Sequence, residues 1–234
     1  MAGPAIAVVI PALNESGPIR RVLADIPMDI VTRVVVVDNG SSDDTAEVAR
    51  SLGAMVLSEP RRGYGQACLT GIEYLKDPRR RPDILVFLDA DYSDYPGELS
   101  RVVEPVLEGR ADLVIGSRVL GEALPGALLP QARFGNWLAT RLIRWIWGVS
   151  YTDLGPFRAV RFDRLLEIGM RDTNFGWTVE MQVKAARRGL VGVEVPVSYR
   201  PRIGRSKVTG TVSGTIGAGT KILWTIFREA IRPG

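Results

Sequence analysis

The stretch Ile84-Leu85-Val86-Phe87-Leu88-Asp89-Ala90-Asp91 constrains this chain more than any other. Five consecutive apolar residues have the length and residue types of a fully buried strand, the kind found in a parallel sheet covered on both faces. The run ends in two carboxylates spaced i, i+2, which a continuing strand would put on one side. In open α/β sheets, ligands gather where strands stop. Two convergent carboxylates there are costly unless a cation sits between them. Oxygen-only ligands suit Mg²⁺ or Mn²⁺, with substrate phosphates completing the shell. A strand followed by an Asp-rich turn accounts for the same letters, so the flanking chain has to decide.

That chain alternates strands with helices. Ala5 to Pro11 reads as a buried first strand, and the polar turn Asn14-Glu15-Ser16-Gly17 leads into a helix from Pro18 to Asp25. Thr32 to Val37 is a second, β-branched strand ending in Asp38-Asn39-Gly40-Ser41-Ser42-Asp43-Asp44-Thr45, which combines a strand-end carboxylate, a tight turn and helix-capping residues. A helix over 44–52 and a strand over 54–57 follow. The basic, glycine-bearing loop Arg61-Arg62-Gly63-Tyr64-Gly65-Gln66 then opens a helix over 67–75. After the central strand, a helix over 96–107 precedes a strand over 112–116 that runs into Ser117-Arg118. This order predicts right-handed βαβ units and an α/β fold with a mostly parallel sheet.

Composition narrows the chemistry. The chain has no histidine, which removes Ser-His-Asp triads, histidine-ligated zinc and imidazole acid/base catalysis together. Catalysis therefore rests on carboxylates, arginine or lysine, and a metal. The one cysteine, Cys68, excludes an internal disulfide and fits a reducing, cytoplasmic compartment. A pI near 9.4 suits phosphorylated substrates or a membrane surface. No nucleic-acid-binding fingerprint accompanies the charge, so that partner is discounted. No signal peptide opens the chain, and no stretch of about 18 uncharged apolar residues would span a bilayer.

There is no G-x-G-x-x-G after the first strand and no P-loop signature. Instead Pro11-Ala12-Leu13-Asn14-Glu15, Val37 to Thr45, and Asp89-Ala90-Asp91 resemble, in order and spacing, the signatures of family 2 glycosyltransferases with the GT-A fold. The resemblance implies that Pro11, Leu13, Glu15 and Asp38 bind the nucleoside of a UDP- or GDP-sugar, and that the loop around Gly63 and Gln66 closes on the base. It also implies that Asp89 and Asp91 hold ribose, metal and diphosphate. Further on, Gly116-Ser117-Arg118, Thr152 to Arg158, Gly176 to Met181 and Arg202 to Lys207 look like the dolichyl- or polyprenyl-phosphate sugar synthases. The likeness covers residues 5 to 210, so a GT-A domain is expected over 1–210 and an amphipathic helix over 211–234. That subfamily often continues its metal motif with Gln and His, where this chain has Ser93 and Asp94; the third metal ligand is left open. Gly155-Pro156-Phe157 also replaces the usual Ser-Gly-Phe, which leaves the acceptor loop's conformation open.

Transfer of a sugar requires stabilising the departing diphosphate and presenting a nucleophile. A divalent ion at Asp91 serves the first need, and Arg118 adds bidentate charge on phosphate unless it is only a strand-end surface residue. A hydroxyl acceptor needs a general base, and Asp153 and Glu180 are the candidates; a structural role within the helix predicted over 177–188 accounts for Glu180 equally well. A phosphate acceptor is already anionic and needs only cations. Arg200-Pro201-Arg202-Ile203-Gly204-Arg205-Ser206-Lys207 supplies four in eight residues, unless it is simply a solvated loop. Arg118, Arg202 and Lys207 are accordingly expected to act with Asp91, and Asp153, Arg158, Glu180 and Ser206 to bind the acceptor. Two segments place tryptophan and basic residues beside apolar stripes: residues 131–148, and a C-terminal face carrying Lys221, Trp224, Arg228 and Ile231. They either lie in lipid headgroups at the cytoplasmic membrane face or pack on the sheet or a second subunit in a homodimer.

Overall fold

The computed structural model describes residues 3–204 and 212–231. Seven strands, β1 (Ile6–Ala12), β2 (Arg33–Asp38), β3 (Met55–Ser58), β4 (Ile84–Phe87), β5 (Leu113–Ser117), β6 (Arg158–Arg161) and β7 (Gly192–Pro196), form one sheet in the order β3-β2-β1-β4-β6-β5-β7. All neighbours run parallel except β6, which is antiparallel to both β4 and β5. The central strands are apolar on both faces because helices cover both. Val9, Val35, Phe87 and Ile115 pack beneath α3 (Tyr64–Leu75) and α7 (Trp177–Arg187). Val8, Ile10, Val36 and Val86 pack beneath α1 (Pro18–Asp25), α2 (Thr45–Ser51) and α4 (Leu99–Leu107). The alternation is the period-2 pleat, and each fully buried Val or Ile contributes about 1.5–3 kcal/mol of transfer free energy.

The α/β reading and its mostly parallel sheet hold, with differences that have physical causes. The central strand ends at Phe87, so Asp89 and Asp91 lie in the turn that follows and not on a continuing strand. Tyr92 takes a positive φ of 62°, which marks the sharpness of that turn. The helix α3 begins at Tyr64, three residues early. The strands β6 and β7 have no sequence expectation behind them. Arg158-Ala159-Val160-Arg161 is too short and too charged at its ends to show an apolar run, and β7 is bounded by Gly and Pro.

The long helix α5 (Pro130–Trp147), the short α6 (Phe162–Ile168) and the C-terminal α8 (Val212–Ala230) complete the fold. The outer pair α5 and α8 pack against each other and both against α7. Ile226 of α8 is fully buried in the core, and Thr225 and Glu229 are buried beside it. Lys221 pairs with Asp172 at 3.0 Å, and Arg228 reaches Glu180 at 3.4 Å and Glu229 at 3.2 Å. The expected basic face of this helix is thereby corrected: its cations turn toward acids of the protein, leaving Trp224, Phe227 and Ile231 outside. Among the described residues no helix is long and apolar enough to cross a membrane.

Candidate active site

The parallel strands β1, β2, β4 and β5 all end on one edge, and the chain reverses its spread between β1 and β4. That is where an open α/β sheet leaves a crevice. A cavity of about 320 Å³ occupies it. Pro11, Leu13 and Glu15 enter from β1, Asn39 from β2, and Asp89 and Asp91 from beyond β4. Gly63 and Arg202 close it from the sides. Six of the residues expected for nucleotide, metal or catalysis thus meet in one place with Arg202, although they span about 190 positions of sequence.

The 59–66 loop is built with little slack. A Cβ on Gly63 would stand 2.1 Å from the Thr173 carbonyl oxygen, and one on Gly65 would stand 2.0 Å from that of Asp172. Gly63 also has φ of +143°, a conformation closed to other L-residues. Only glycines let this loop touch the 172–173 backbone, where the Gln66 amide donates to Thr173 O at 2.9 Å. Asn39 ties the loop to β2: its amide donates to Glu59 O and Arg61 O, and its Oδ1 accepts from the Gly63 amide. The Gln66 side chain donates to Glu59 at 2.9 Å, which turns it away from the cavity. Arg61, Thr70 and Gln66 together hold Glu59 well below the ordinary carboxylate range. The lining places vacated by Gln66 and Asp38 go to Asn39, Arg62 and Tyr64, with Asn174 and Phe175 opposite. Asp38 itself sits beside this lining and accepts from the Ser41 amide at 3.1 Å. Asn39 was within reach of the sequence, next to the singled-out Asp38. Asn174 and Phe175 come from a loop with no signature of its own.

The acidic cluster is tightly organised. Asp89 accepts from the Tyr64 hydroxyl at 2.9 Å; burial and the neighbouring Asp91 raise it to about 6. Asp91 accepts from the Ser93 amide and hydroxyl and is paired with Arg202 at 2.5 Å. Asp94 is buried with both carboxylate oxygens unpartnered, and burial together with Asp89 raises it well above the ordinary value. Such an excess of buried carboxylate fits a divalent cation, with Asp89 and Asp91 as hard oxygen donors. Among the described residues no set of three acidic, histidine or cysteine side chains forms a self-sufficient metal site. Diphosphate oxygens would have to complete the shell.

The strand-end Arg118 lies under a different constraint. Its Nε and Nη2 donate to the two oxygens of Asp153, each at 2.8 Å, and its own amide donates to Asp153 at 2.8 Å. The guanidinium also stacks over Tyr199, 5.0 Å from the ring centre. Burial alone would raise Asp153, but Arg118's charge and hydrogen bonds outweigh it and hold Asp153 below its ordinary value. Asp153 is therefore a strut for Arg118.

Two further acceptor expectations are corrected. Arg158 is wholly buried: the β4–β6–β5 register sets it in one row with Phe87 and Ile115, facing α7. Its donors are spent on the Leu154, Gly155 and Thr178 carbonyls, and burial lowers its pKa to about 10. Glu180 is equally enclosed, accepting from the Arg171 and Asp172 amides and pairing with Lys184 at 2.8 Å. Both brace the wall behind the site.

The described part of the cationic segment, residues 200–203, runs beside the carboxylate turn, and its charges divide. The Ile203 amide donates to Asp91 O and the Arg200 amide to Ser93 O, strapping 200–203 along 91–94. Arg200 is held between Tyr92 and Tyr95, 3.4 and 3.8 Å from the ring centres, so it serves packing. Arg202 remains at the cavity. Arg205, Ser206 and Lys207 lie outside the described residues.

Residues 7–169 match the glycosyl transferase family 2 profile. An uncharacterized glycosyltransferase of Mycobacterium tuberculosis is 41% identical over 219 residues, covering 92% of this chain and 95% of its own length. A dolichyl-phosphate hexose transferase of Haloferax volcanii is 33% identical over 232 residues, covering 97% and 96%. Among solved structures, the glucosyl-3-phosphoglycerate synthase of Mycobacterium tuberculosis, in complex with Mn²⁺, UDP-glucose and phosphoglyceric acid, superposes with a TM-score of 0.77 at 25% identity, covering 99% of this chain and 82% of its own.

Proposed function

The chain belongs to glycosyltransferase family 2, and we propose that it moves a hexose from a UDP- or GDP-sugar to a polyprenyl phosphate, with inversion, at the cytoplasmic face of a membrane. The observation that carries this reading is the pairing of Arg202 with Asp91: a cation of the acceptor-side segment stands at the carboxylate that ends the donor site. The 33% identity with a dolichyl-phosphate hexose transferase over nearly the whole chain supports the acceptor class.

In this reading the base and ribose lie in the cavity between Leu13 and Phe175, against Asn39 and the Gly63 loop. Asp89 and Asp91 would hold Mg²⁺ or Mn²⁺, and the ion, when bound, would supply Lewis-acid charge for the departing diphosphate. Tyr64 fixes the orientation of Asp89. Arg202 exchanges its Asp91 partner for phosphate, where a guanidinium binds bidentately. Arg118, locked by Asp153, presents a second charge toward the acceptor. A phosphate nucleophile needs no proton removed, which agrees with the enclosure of both candidate bases, Asp153 and Glu180. Arg158 drops out of the acceptor role, and Ser206 and Lys207 keep theirs as proposals.

A second reading, a hydroxyl acceptor, draws on the likeness to a synthase solved with phosphoglyceric acid. Variant kinetics separate the two. A phosphate acceptor predicts that Arg202→Ala depresses transfer far more than nucleotide binding, while Glu180→Gln in folded protein stays within about tenfold of wild type. The opposite ranking favours the hydroxyl acceptor.

A further inference from the structure

Among the described residues every exposed tryptophan and phenylalanine lies on α5 or α8. Phe134, Trp137 and Trp145 project from α5, Trp145 with 81% of its surface exposed. Trp224 and Phe227 project from α8, followed by Ile231. The spacing 134, 137, 141, 145 on one helix and 220, 224, 227, 231 on the other gives each a single outward stripe. Both helices contact each other and both rest on α7, whose side chains are largely buried, so the stripes sit on the same outer layer.

Charge accompanies the aromatics on α5. Arg133, Arg141 and Arg144 are exposed, Arg141 over the Trp137 ring at 5.8 Å, and none of the three makes an ion pair among the described residues. The sequence of α5 contains no Asp or Glu, and the one acid of α8, Glu229, is buried. Val119, Leu120 and Leu124 extend the apolar surface into the preceding loop. A cavity of about 550 Å³ lies between that loop and α5, with Arg118, Arg141 and Arg144 all in its wall.

We infer that the α5–α8 face docks on an anionic lipid bilayer, with the aromatic stripes in the headgroup layer and the α5 arginines on lipid phosphates. The assignment rests on the membrane-surface reading above and deepens it by naming the face and the sign of the lipid charge. A second copy of the chain is the poorer occupant. A twofold contact through this face would set arginine against arginine with no carboxylate from either helix, whereas anionic headgroups match that charge. Tryptophan with arginine beside an apolar stripe is the composition of a helix lying in an interface. The cavity then joins the docked face to Arg118, so a phosphate presented from the bilayer would have a short path to the site.

Flotation of the full chain with vesicles tests the inference. Wild type should float with phosphatidylglycerol-containing vesicles, bind pure phosphatidylcholine vesicles several-fold less, and be released as salt rises. Trp145→Ala with Trp224→Ala removes two exposed side chains, so the fold should persist by circular dichroism. Binding should fall by roughly tenfold or more, with nucleotide affinity unchanged. Arg141→Glu with Arg144→Glu should abolish the preference for anionic vesicles. Wild type that stays in solution, a tryptophan variant that floats like wild type, or a wild-type dimer that this variant dissociates would each overturn the inference. Transfer assayed with polyprenyl phosphate in detergent micelles distinguishes the underlying reading. A tryptophan variant active in micelles but not on vesicles supports both; flotation of wild type with no transfer in either format leaves the docking face standing and removes the acceptor.

Discussion

Replacing Asp153 by Asn separates two roles that the sequence alone leaves open, a general base and a strut. The carboxylate is 1% exposed and takes three hydrogen bonds of 2.8 Å from Arg118, two of them from the guanidinium. Losing one partner of a buried ion pair costs about 3–5 kcal/mol, because the other charge is left uncompensated. Arg118 keeps 15% side-chain exposure and the Tyr199 ring, and Asn can still accept one bond, which puts the expected loss near the bottom of that range, about 3 kcal/mol. For a domain of this size that is a fall in Tm of about 6–12 °C. Urea unfolding of Asp153→Asn, Arg118→Met and the double variant would measure the coupling between the two side chains, expected at about 2–3 kcal/mol. The pH dependence has a definite sign. Asp153 is depressed in the folded state, so its contribution is present above the unfolded value near 3.8 and is lost as pH falls through the folded value. Neither residue lines the cavity proposed for the nucleotide, so calorimetric affinity for the nucleotide should not change. A variant that keeps wild-type stability, shows no coupling with Arg118 and loses only kcat would refute the strut and restore the base.

Three other substitutions probe the site. Gly63→Ala places a Cβ 2.1 Å from a backbone oxygen at a φ of +143°, so nucleotide affinity should drop at least tenfold as the loop is displaced; unchanged affinity by calorimetry would mean the loop does not bound the base. Tyr64→Phe removes the 2.9 Å bond to Asp89 and should weaken Mn²⁺-dependent nucleotide binding by about 1 kcal/mol, with binding in EDTA changed less. Glu180→Gln strips a fully buried acid from Lys184; stability should fall by about 3 kcal/mol in urea, and an unaltered unfolding midpoint would contradict its bracing role.

The half of the fold that lines the proposed donor cavity was legible because its signals are local. Apolar runs with sharp ends give β1, β2, β4 and β5, and each carries a candidate site residue at or just past its end, as with Asp89 and Asp91 after β4. Arg202 was legible as part of a dense cationic run. What was hidden depends on contacts across the chain. Gln66 looks like a base-binding residue until Glu59, seven positions away, takes its amide. Arg158 and Asp153 sit in one motif, yet the antiparallel insertion of β6 sends Arg158 into the core, while Asp153 is drawn to Arg118 from 35 positions off. The C-terminal helix showed its amphipathic pattern, but only packing decides that Lys221 and Arg228 face inward while Trp224 faces out.

The proposed function stands or falls on a lipid phosphate as acceptor. The measurement is incubation of the protein with labelled UDP-glucose or GDP-mannose, Mn²⁺ and a polyprenyl phosphate, followed by organic extraction and anomeric analysis of the lipid. Label should appear in the organic phase as an acid-labile hexosyl phosphate of inverted configuration, dependent on the divalent ion and lost in Asp91→Asn. Label appearing instead on a hydroxyl-bearing acceptor such as phosphoglycerate, with none on the lipid from either donor, would contradict it.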